Sequence, residues 1–118
     1  MPAGTYYIGD LCYVIEEWHE LCDIIIDGNN VKDGEFVMGE RRFANYGTAY
    51  GDGSYKSNIG TTHPVDSGRI GCIKISDITK HVIHYDTLGA IVDFKDDFET
   101  GVDEGIIIFG HVEIDTAG

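Results

Sequence analysis

Apolar residues near the start of the chain follow the period of an amphipathic helix. They recur every three or four positions between residues 14 and 26, and most positions between them are acidic. The apolar stripe consists of Val14, Ile15, Trp18, Leu21, Cys22 and Ile25. Gly28 follows this stripe, where a left-handed residue commonly ends a helix. The pattern therefore predicts one helix over residues 14–26.

The last third of the chain shows the alternation of apolar and polar residues that is typical of β-strands. Gly110 is expected to form a bulge within the last of these strands. Such strands make an antiparallel meander, and we expect one face of it to pack on the helix that carries Trp18. The predicted strands cover residues 88–94, 98–102 and 106–114.

The middle of the chain is rich in tyrosine and glycine. Its pattern predicts a hairpin with arms at residues 46–50 and 54–57 around Gly51-Asp52-Gly53, followed by a loop over residues 58–64. Further strands are predicted over residues 5–8, 35–38 and 69–75.

The composition favours sheet outside the helix. Sixteen isoleucines and eight valines stand against only three leucines, and β-branched side chains suit strands better than helices. With 118 residues, 42% of them hydrophobic, the chain is long enough for one core. We predict a single domain over residues 1–118. Its class is α+β: a predominantly antiparallel sheet, open or barrel-like, with one amphipathic helix packed on it.

The chain is strongly acidic, and this restricts its partners. Eight Lys and Arg against 21 Asp and Glu give a net charge of −13 at pH 7. Such a charge repels nucleic-acid phosphates and anionic membranes, so we expect no direct binding to either. It suits a basic partner or cation binding, or it serves solubility alone.

Cysteine usage indicates a reducing compartment. Cys12, Cys22 and Cys72 are odd in number and widely spaced, which fits neither a disulfide framework nor a zinc motif. The sequence has no apolar run of membrane-spanning length and no signal-peptide pattern. We therefore expect a cytoplasmic protein. No cofactor or metal is expected, since the sequence lacks nucleotide-binding loops and metal-ligand spacings.

Turns rich in glycine and aspartate supply the candidate ligand-binding residues. Tyrosine offers a rigid apolar ring with a polar tip, arginine fits phosphate, and polar loops on a rigid sheet often bind ligands. The same tyrosines could instead pack across a hairpin, and the same aspartates could cap turns. The predicted ligand-binding residues are Asp10, Arg41, Arg42, Tyr50, Asp52, Tyr55 and Asp66.

An enzymatic alternative joins Cys12, His63 and Asp66 as nucleophile, base and orienting group. A cysteine needs a base or a cation to become a thiolate, and the base needs an acceptor that fixes its tautomer. A buried, inert thiol is the competing interpretation of Cys12.

Four phrases of the sequence resemble a group of small uncharacterised proteins of bacteria and tailed bacteriophages. The phrases lie at residues 6–14 (YYIGDLCYV), 47–55 (GTAYGDGSY), 64–71 (PVDSGRIG) and 109–116 (FGHVEIDT). Leu11 departs from the group, which more often has proline there. The resemblance covers almost the whole chain and implies a bacterial or phage origin and a cytoplasmic location. It carries no catalytic role with it.

These observations lead to a functional hypothesis. The chain is expected to be a phage-encoded binding or accessory module that recognises a host protein or a small ligand. The alternative is a cysteine-dependent hydrolase or transferase that uses Cys12, His63 and Asp66. A homodimer is a further prediction, because a long final strand could pair across a two-fold axis.

Overall fold

The computed structural model describes residues 1–80 and 87–117. These residues form one α-helix, α1 (Trp18–Ile25), two 3-10 turns (Leu11–Tyr13 and Ile75–Asp77) and twelve strands. The strands are β1 (Gly4–Gly9), β2 (Ile26–Asp27), β3 (Asn30–Val31), β4 (Gly34–Met38), β5 (Arg41–Gly47), β6 (Gly53–Lys56), β7 (Thr62–Val65), β8 (Arg69–Lys74), β9 (Gly89–Phe94), β10 (Thr100–Asp103), β11 (Ile106–Phe109) and β12 (Val112–Asp115).

A five-stranded antiparallel sheet in the order β4-β5-β8-β1-β9 forms the middle layer. The consecutive residues Tyr6 and Tyr7 of β1 are both fully buried. Successive side chains of a strand face opposite sides, so both faces of this sheet must be covered. The edges at β4 and β9 stay open, so the described strands form layers and not a barrel. The predicted class, α+β with a mainly antiparallel sheet and one packed helix, is confirmed.

Helix α1 covers one face of this central sheet. Leu21 and Ile25 of the helix are buried in one apolar cluster with Met38 of β4 and Phe43 of β5. Fully burying each such side chain contributes about 1.5–3 kcal/mol. Trp18 packs at the border of the same cluster and is half-buried. The part of the predicted apolar stripe that lies in the helix, from Trp18 to Ile25, is therefore its packed face.

The helix begins four residues later than predicted, at Trp18. The carbonyl of Val14 accepts hydrogen bonds from the backbone N–H groups of Thr79 and Lys80. The backbone N–H of Glu16 donates to the Thr79 hydroxyl over 3.0 Å. Residues 14–16 are thus bonded to a distant segment, which competes with the first helical turn that periodicity alone suggests.

The helix also ends differently from the prediction. It passes at Ile26 directly into β2, which pairs with β3 in a short antiparallel hairpin. Gly28 has φ +62°, but it lies in the β2–β3 turn and does not terminate the helix. Glycine fits both positions for the same reason, because it tolerates positive φ.

The C-terminal meander β10-β11-β12 covers the other face of the central sheet. Ile107, Phe109 and Ile114 of the meander share an apolar cluster with Tyr6 and Ile8 of β1. The prediction that the meander packs on the Trp18 helix is wrong, since the central sheet separates these two layers. β9 was also assigned wrongly to the meander: it pairs with β1 along its whole length.

The strand predicted over residues 106–114 is two strands. Phe109 pairs with Val112, and Gly110 between them has φ +58°. This glycine therefore makes a tight turn and not a bulge, because positive φ reverses the chain at little cost for glycine.

The prediction of a hairpin around Gly51-Asp52-Gly53 is wrong, because its two arms do not pair with each other. Tyr46 belongs to β5, where it pairs with Ile70 of β8. β6 pairs instead with β7, which occupies part of the predicted 58–64 loop. The alternating pattern located the strands here, but it could not identify which strands pair.

Candidate functional site

Asp10 lies at the end of β1 and is fully buried. Its carboxylate accepts the backbone N–H groups of Cys12 (3.0 Å), Asp66 (2.8 Å) and Ser67 (2.7 Å). It also accepts the Ser67 hydroxyl over 2.7 Å. Four hydrogen bonds satisfy most of the acceptor capacity of a carboxylate. Asp10 therefore holds the turn between β7 and β8 against the first strand; we call this arrangement the Asp10 latch.

The polar groups around the latch are held in their protonated forms. Burial raises the pKa of the Cys12 thiol, and a hydrogen bond to the Asp10 carboxylate raises it further. Burial likewise raises the pKa of Tyr13, whose hydroxyl is hydrogen-bonded to Asp66. Cys12 is therefore a thiol at neutral pH and a poor nucleophile.

His63 is fully buried in β7. Its Nδ1 lies 3.1 Å from the carbonyl oxygen of Ile8. Because a carbonyl only accepts, Nδ1 carries the proton of the neutral ring. Nε2 has no hydrogen-bond partner among the described residues. Burial lowers the pKa of this imidazole.

The catalytic alternative requires the Cys12 thiol to be bonded to a His63 ring nitrogen. One ring nitrogen is bonded to the Ile8 carbonyl, and the other has no partner in the described part of the chain. The Cys12 thiol instead contacts the Asp10 carboxylate, while Asp66 is bonded to Tyr13. The three side chains thus do not form the hydrogen-bonded chain that a triad needs.

Arg41 and Arg42 point to opposite faces of β5, as neighbours on a strand do. Arg41 pairs with Glu17 over 3.3 Å on the helix side. Arg42 forms an ion pair with Glu35 of the adjacent strand β4 over 3.2 Å. The two guanidinium groups therefore do not converge on one ligand, and each already has a carboxylate partner.

Tyr50 projects into solvent from a firmly held loop and is 74% exposed. On one side of it, the backbone N–H of Ala49 donates to the Thr116 hydroxyl over 3.0 Å. On the other side, the Gly51 carbonyl accepts the hydroxyls of Thr48 (2.6 Å) and Tyr55 (2.9 Å). An aromatic ring on a fixed backbone loses little conformational entropy on binding.

Tyr50 and Tyr55 line the same surface cavity of about 360 Å³. A second cavity, of about 370 Å³, adjoins it and shares Lys56 and Asp115. Both cavities lie along β6 and β12, and we call the two of them together the β6–β12 groove. Its lining is Tyr50, Ser54, Tyr55, Lys56, Ser57, Asn58, Ile106, Glu113, Asp115 and Thr116.

The groove contains functional candidates that sequence reasoning missed. Lys56 supplies a cation where the arginines were expected, and Asp115 with Glu113 supplies the opposite charge. The phrase at residues 109–116, which contains Asp115 and Glu113, was the available signal, but nothing in the sequence places it beside Tyr55. In the groove the structure brings together two of the predicted residues, Tyr50 and Tyr55, and adds others from β12.

The two remaining predicted aspartates lie outside the groove lining. Asp52 is exposed beside the turn that contains Gly68. Asp66 is also exposed and contributes its backbone N–H to the Asp10 latch. The turns that carry Asp52 and Asp66 meet through Thr48, whose backbone N–H donates to the Gly68 carbonyl over 3.0 Å.

Another surface cavity, of about 400 Å³, lies beside the turn between β9 and β10. Its lining includes the stacked rings of Phe94 and Phe98, whose centroids are 3.8 Å apart. Two of its carboxylates are already bonded, Asp93 to the Thr5 hydroxyl and Asp97 to the Ala3 backbone N–H. No group of three His, Cys, Asp or Glu side chains is arranged to hold a metal within residues 1–80 and 87–117.

The chain matches no protein-family model, no curated protein and no solved structure. Within the described part of the chain, no helix has the length and apolarity needed to cross a membrane.

Proposed function

We propose that the protein is a binding module that recognises another protein through the β6–β12 groove. The observation that carries this proposal is the 74% exposure of Tyr50 at the rim of the groove. Tyrosine is enriched among residues that dominate protein–protein binding energy, and truncating such a residue costs 2 kcal/mol or more, roughly thirtyfold in affinity.

A protein partner fits the groove better than a small ligand. Small-molecule sites usually enclose most of the ligand surface, whereas this groove lies open beside a largely solvated tyrosine. The arginines expected to bind a phosphorylated ligand are paired with glutamates elsewhere.

The proposal extends to location and origin. A cytoplasmic site of action agrees with the three free thiols of Cys12, Cys22 and Cys72. The resemblance to small bacterial and phage proteins makes a bacterial protein the natural partner. An accessory role of this kind needs no chemistry at Cys12 or His63.

The proposal is tested by comparing two surface variants. The immobilised full chain, Tyr50→Ser and Val37→Ser are each incubated with bacterial lysate, and the retained proteins are quantified by mass spectrometry. Val37 is 57% exposed and lies outside the groove, so it controls for nonspecific apolar binding. We expect at least one protein to be retained by wild type and Val37→Ser and lost from Tyr50→Ser. Equal retention on all three would contradict the proposal.

A further inference from the structure

The outer face of the C-terminal meander carries two isoleucines that lie outside the apolar core. Ile107 and Phe109 of β11 point inward and belong to the cluster that packs on the central sheet. Ile106 and Ile108 alternate with them along the strand, so they point away from that sheet. Neither belongs to either apolar cluster of the described residues, and both are half-buried. They form the centre of a surface that we call the meander face.

Carboxylates flank these isoleucines in the register of the meander. Asp115 of β12 lies opposite Ile106, and Asp103 of β10 lies opposite the same isoleucine on its other side. Glu113 of β12 lies opposite Ile108 in the next row. Directly opposite residues share one face of a sheet, with Cβ atoms about 5 Å apart, so the three carboxylates border the isoleucines. All three are exposed.

The remaining position beside the isoleucines is a glycine. Gly101 of β10 lies opposite Ile108. A Cβ atom at this position would have no atom of the described residues within 4 Å, apart from its chain neighbours. The meander face is therefore open above Gly101, and a partner can reach Ile108 from this side.

The carboxylates of the meander face are available to a partner. None of the ion pairs formed by the described residues includes Asp103, Glu113 or Asp115. Residues 96–118 contain seven Asp and Glu and no Lys or Arg, so they supply more than half of the net charge of −13. Basic side chains on a partner would complement this charge, which also accelerates their encounter with the face.

The meander face adjoins the β6–β12 groove. Ile106 and Asp115 belong to the face and also line the groove. The loop that carries Tyr50 is attached to the same end of the face, because the backbone N–H of Ala49 donates to the hydroxyl of Thr116, the residue after Asp115. A partner that packs on Tyr50 can thus contact the meander face at the same time.

A second copy of the chain does not suit this face. A two-fold interface brings the same patch of both copies together, so carboxylates of one copy would lie against carboxylates of the other. Like charges in such positions are destabilising. The charge of the face therefore favours a basic protein over self-association.

We propose that the meander face binds a basic surface of the partner protein. The partner places an aliphatic or aromatic side chain over Ile106 and Ile108, and Lys or Arg side chains against the surrounding carboxylates. Protein interfaces are commonly organised in this way, with few charges at the core and a polar rim. This inference rests on the proposed function, and it specifies the charge of the partner and a second area that the partner contacts.

The probe is a library of random dodecapeptides displayed on phage, selected against the immobilised full chain and depleted on Gly101→Lys. The lysine places a long cationic side chain in the open space beside Ile108, so it covers the face and repels basic ligands. Depletion also removes peptides that bind only to the general negative charge of the chain. We expect the enriched peptides to carry several Lys or Arg residues around an aliphatic or aromatic one. Enrichment of acidic or neutral peptides, or of no peptide that discriminates against Gly101→Lys, would overturn the inference.

Two charge-matched variants separate local pairing from the overall charge. Glu113→Lys reverses one carboxylate of the meander face. Asp23→Lys makes the same change at an exposed position of α1, which the central sheet separates from the meander. Binding of an enriched peptide, measured by fluorescence anisotropy, should weaken about tenfold in Glu113→Lys and at most about twofold in Asp23→Lys, and the difference should decrease as salt is added. Equal effects of the two variants would contradict binding at this face.

The lysate experiment, repeated with Gly101→Lys, distinguishes this inference from the proposed function. A protein whose retention depends on Tyr50 should also be lost from Gly101→Lys. If that protein is retained by Gly101→Lys, the proposed function stands and binding at the meander face is excluded. Urea denaturation shows whether Gly101→Lys is folded, and Glu113→Lys, which changes an exposed side chain, replaces it in both selections if it is not.

Discussion

The Asp10 latch and the Tyr50 loop are both built from glycine- and aspartate-rich turns, yet they differ in where their hydrogen bonds go. Asp10 is fully buried, and its carboxylate is bonded by groups from its own chain. The Tyr50 loop is held by hydrogen bonds at Thr48, Ala49 and Gly51, while the Tyr50 side chain stays in solvent. A turn residue whose side chain is fully hydrogen-bonded within the protein stabilises the fold. A turn residue whose side chain stays exposed to solvent can bind a partner.

The largest effect is expected at the latch. Asp10→Ala leaves the backbone N–H groups of Cys12, Asp66 and Ser67 without their acceptor. It also removes the acceptor of the Ser67 hydroxyl and the Cys12 thiol. We expect a loss of about 4 kcal/mol in the free energy of unfolding, roughly a thousandfold in the folding equilibrium, measured by urea denaturation. Asp66→Asn, which changes an exposed carboxylate of the same turn, should cost less than about 1 kcal/mol. Similar losses of stability in the two variants would show that the buried Asp10 carboxylate does not stabilise the fold more than the exposed Asp66 carboxylate.

Cys12 is expected to be unreactive because it belongs to the latch. Its pKa is raised by burial and by the Asp10 carboxylate, so the thiolate is scarce. Alkylation by iodoacetamide at pH 8 should be at least about tenfold slower in the folded protein than in urea, followed at Cys12 by peptide mass spectrometry. An alkylation rate that is higher in the folded protein than in urea would indicate an activated thiolate. It would support the alternative that the protein is a cysteine-dependent enzyme.

His63, beside the latch, should make stability depend on pH. Its folded-state pKa is lowered by burial, so the unfolded chain binds the proton more readily. This contribution to stability is present above pH 6.5 and is lost as the pH falls from about 6.5 toward the folded-state pKa. His63→Phe should lose about 1 kcal/mol at pH 7.5, through the bond to Ile8, and should show a smaller decline between pH 7 and pH 5. An unchanged pH profile would contradict this assignment.

The smallest effect on stability is expected at Tyr50. Because its ring is 74% exposed, Tyr50→Ser should change the free energy of unfolding by less than about 0.5 kcal/mol, again by urea denaturation. A loss above about 1 kcal/mol would show that the ring supports the fold, which would weaken its assignment to binding. Val37→Ser, an exposed strand position, is the matched control.

The sequence was informative about elements and less so about their partners. The apolar stripe from Trp18 to Ile25 identified the packed face of α1, but not that Val14 is bonded to Thr79 and Lys80. Alternation placed β9 correctly, but β9 pairs with β1 and not with the meander. Gly28 and Gly110 were recognised as special positions, and their turns could not be specified, since several conformations share positive φ.

The sequence likewise predicted some residues of the candidate site but not which of them lie together. Tyr50 and Tyr55 were both predicted as ligand-binding residues, and they line one cavity. Arg41 and Arg42 were placed beside them because they precede them in sequence, but strand alternation separates the two arginines. Lys56 and Asp115 were not predicted at all, because they meet only when β6 approaches β12.

The sequence by itself determined the α+β class, the amphipathic helix, the prevalence of strands and the acidic charge, because each depends on composition or on a local period of the backbone. Only the tertiary structure decided that Asp10 bonds a residue 57 positions away, and that Tyr50 is left in solvent beside a groove. Local periodicity describes which side of an element is apolar. It contains no information on which elements become neighbours in space. That arrangement decides whether the polar side chains of a turn are hydrogen-bonded within the fold or exposed to solvent.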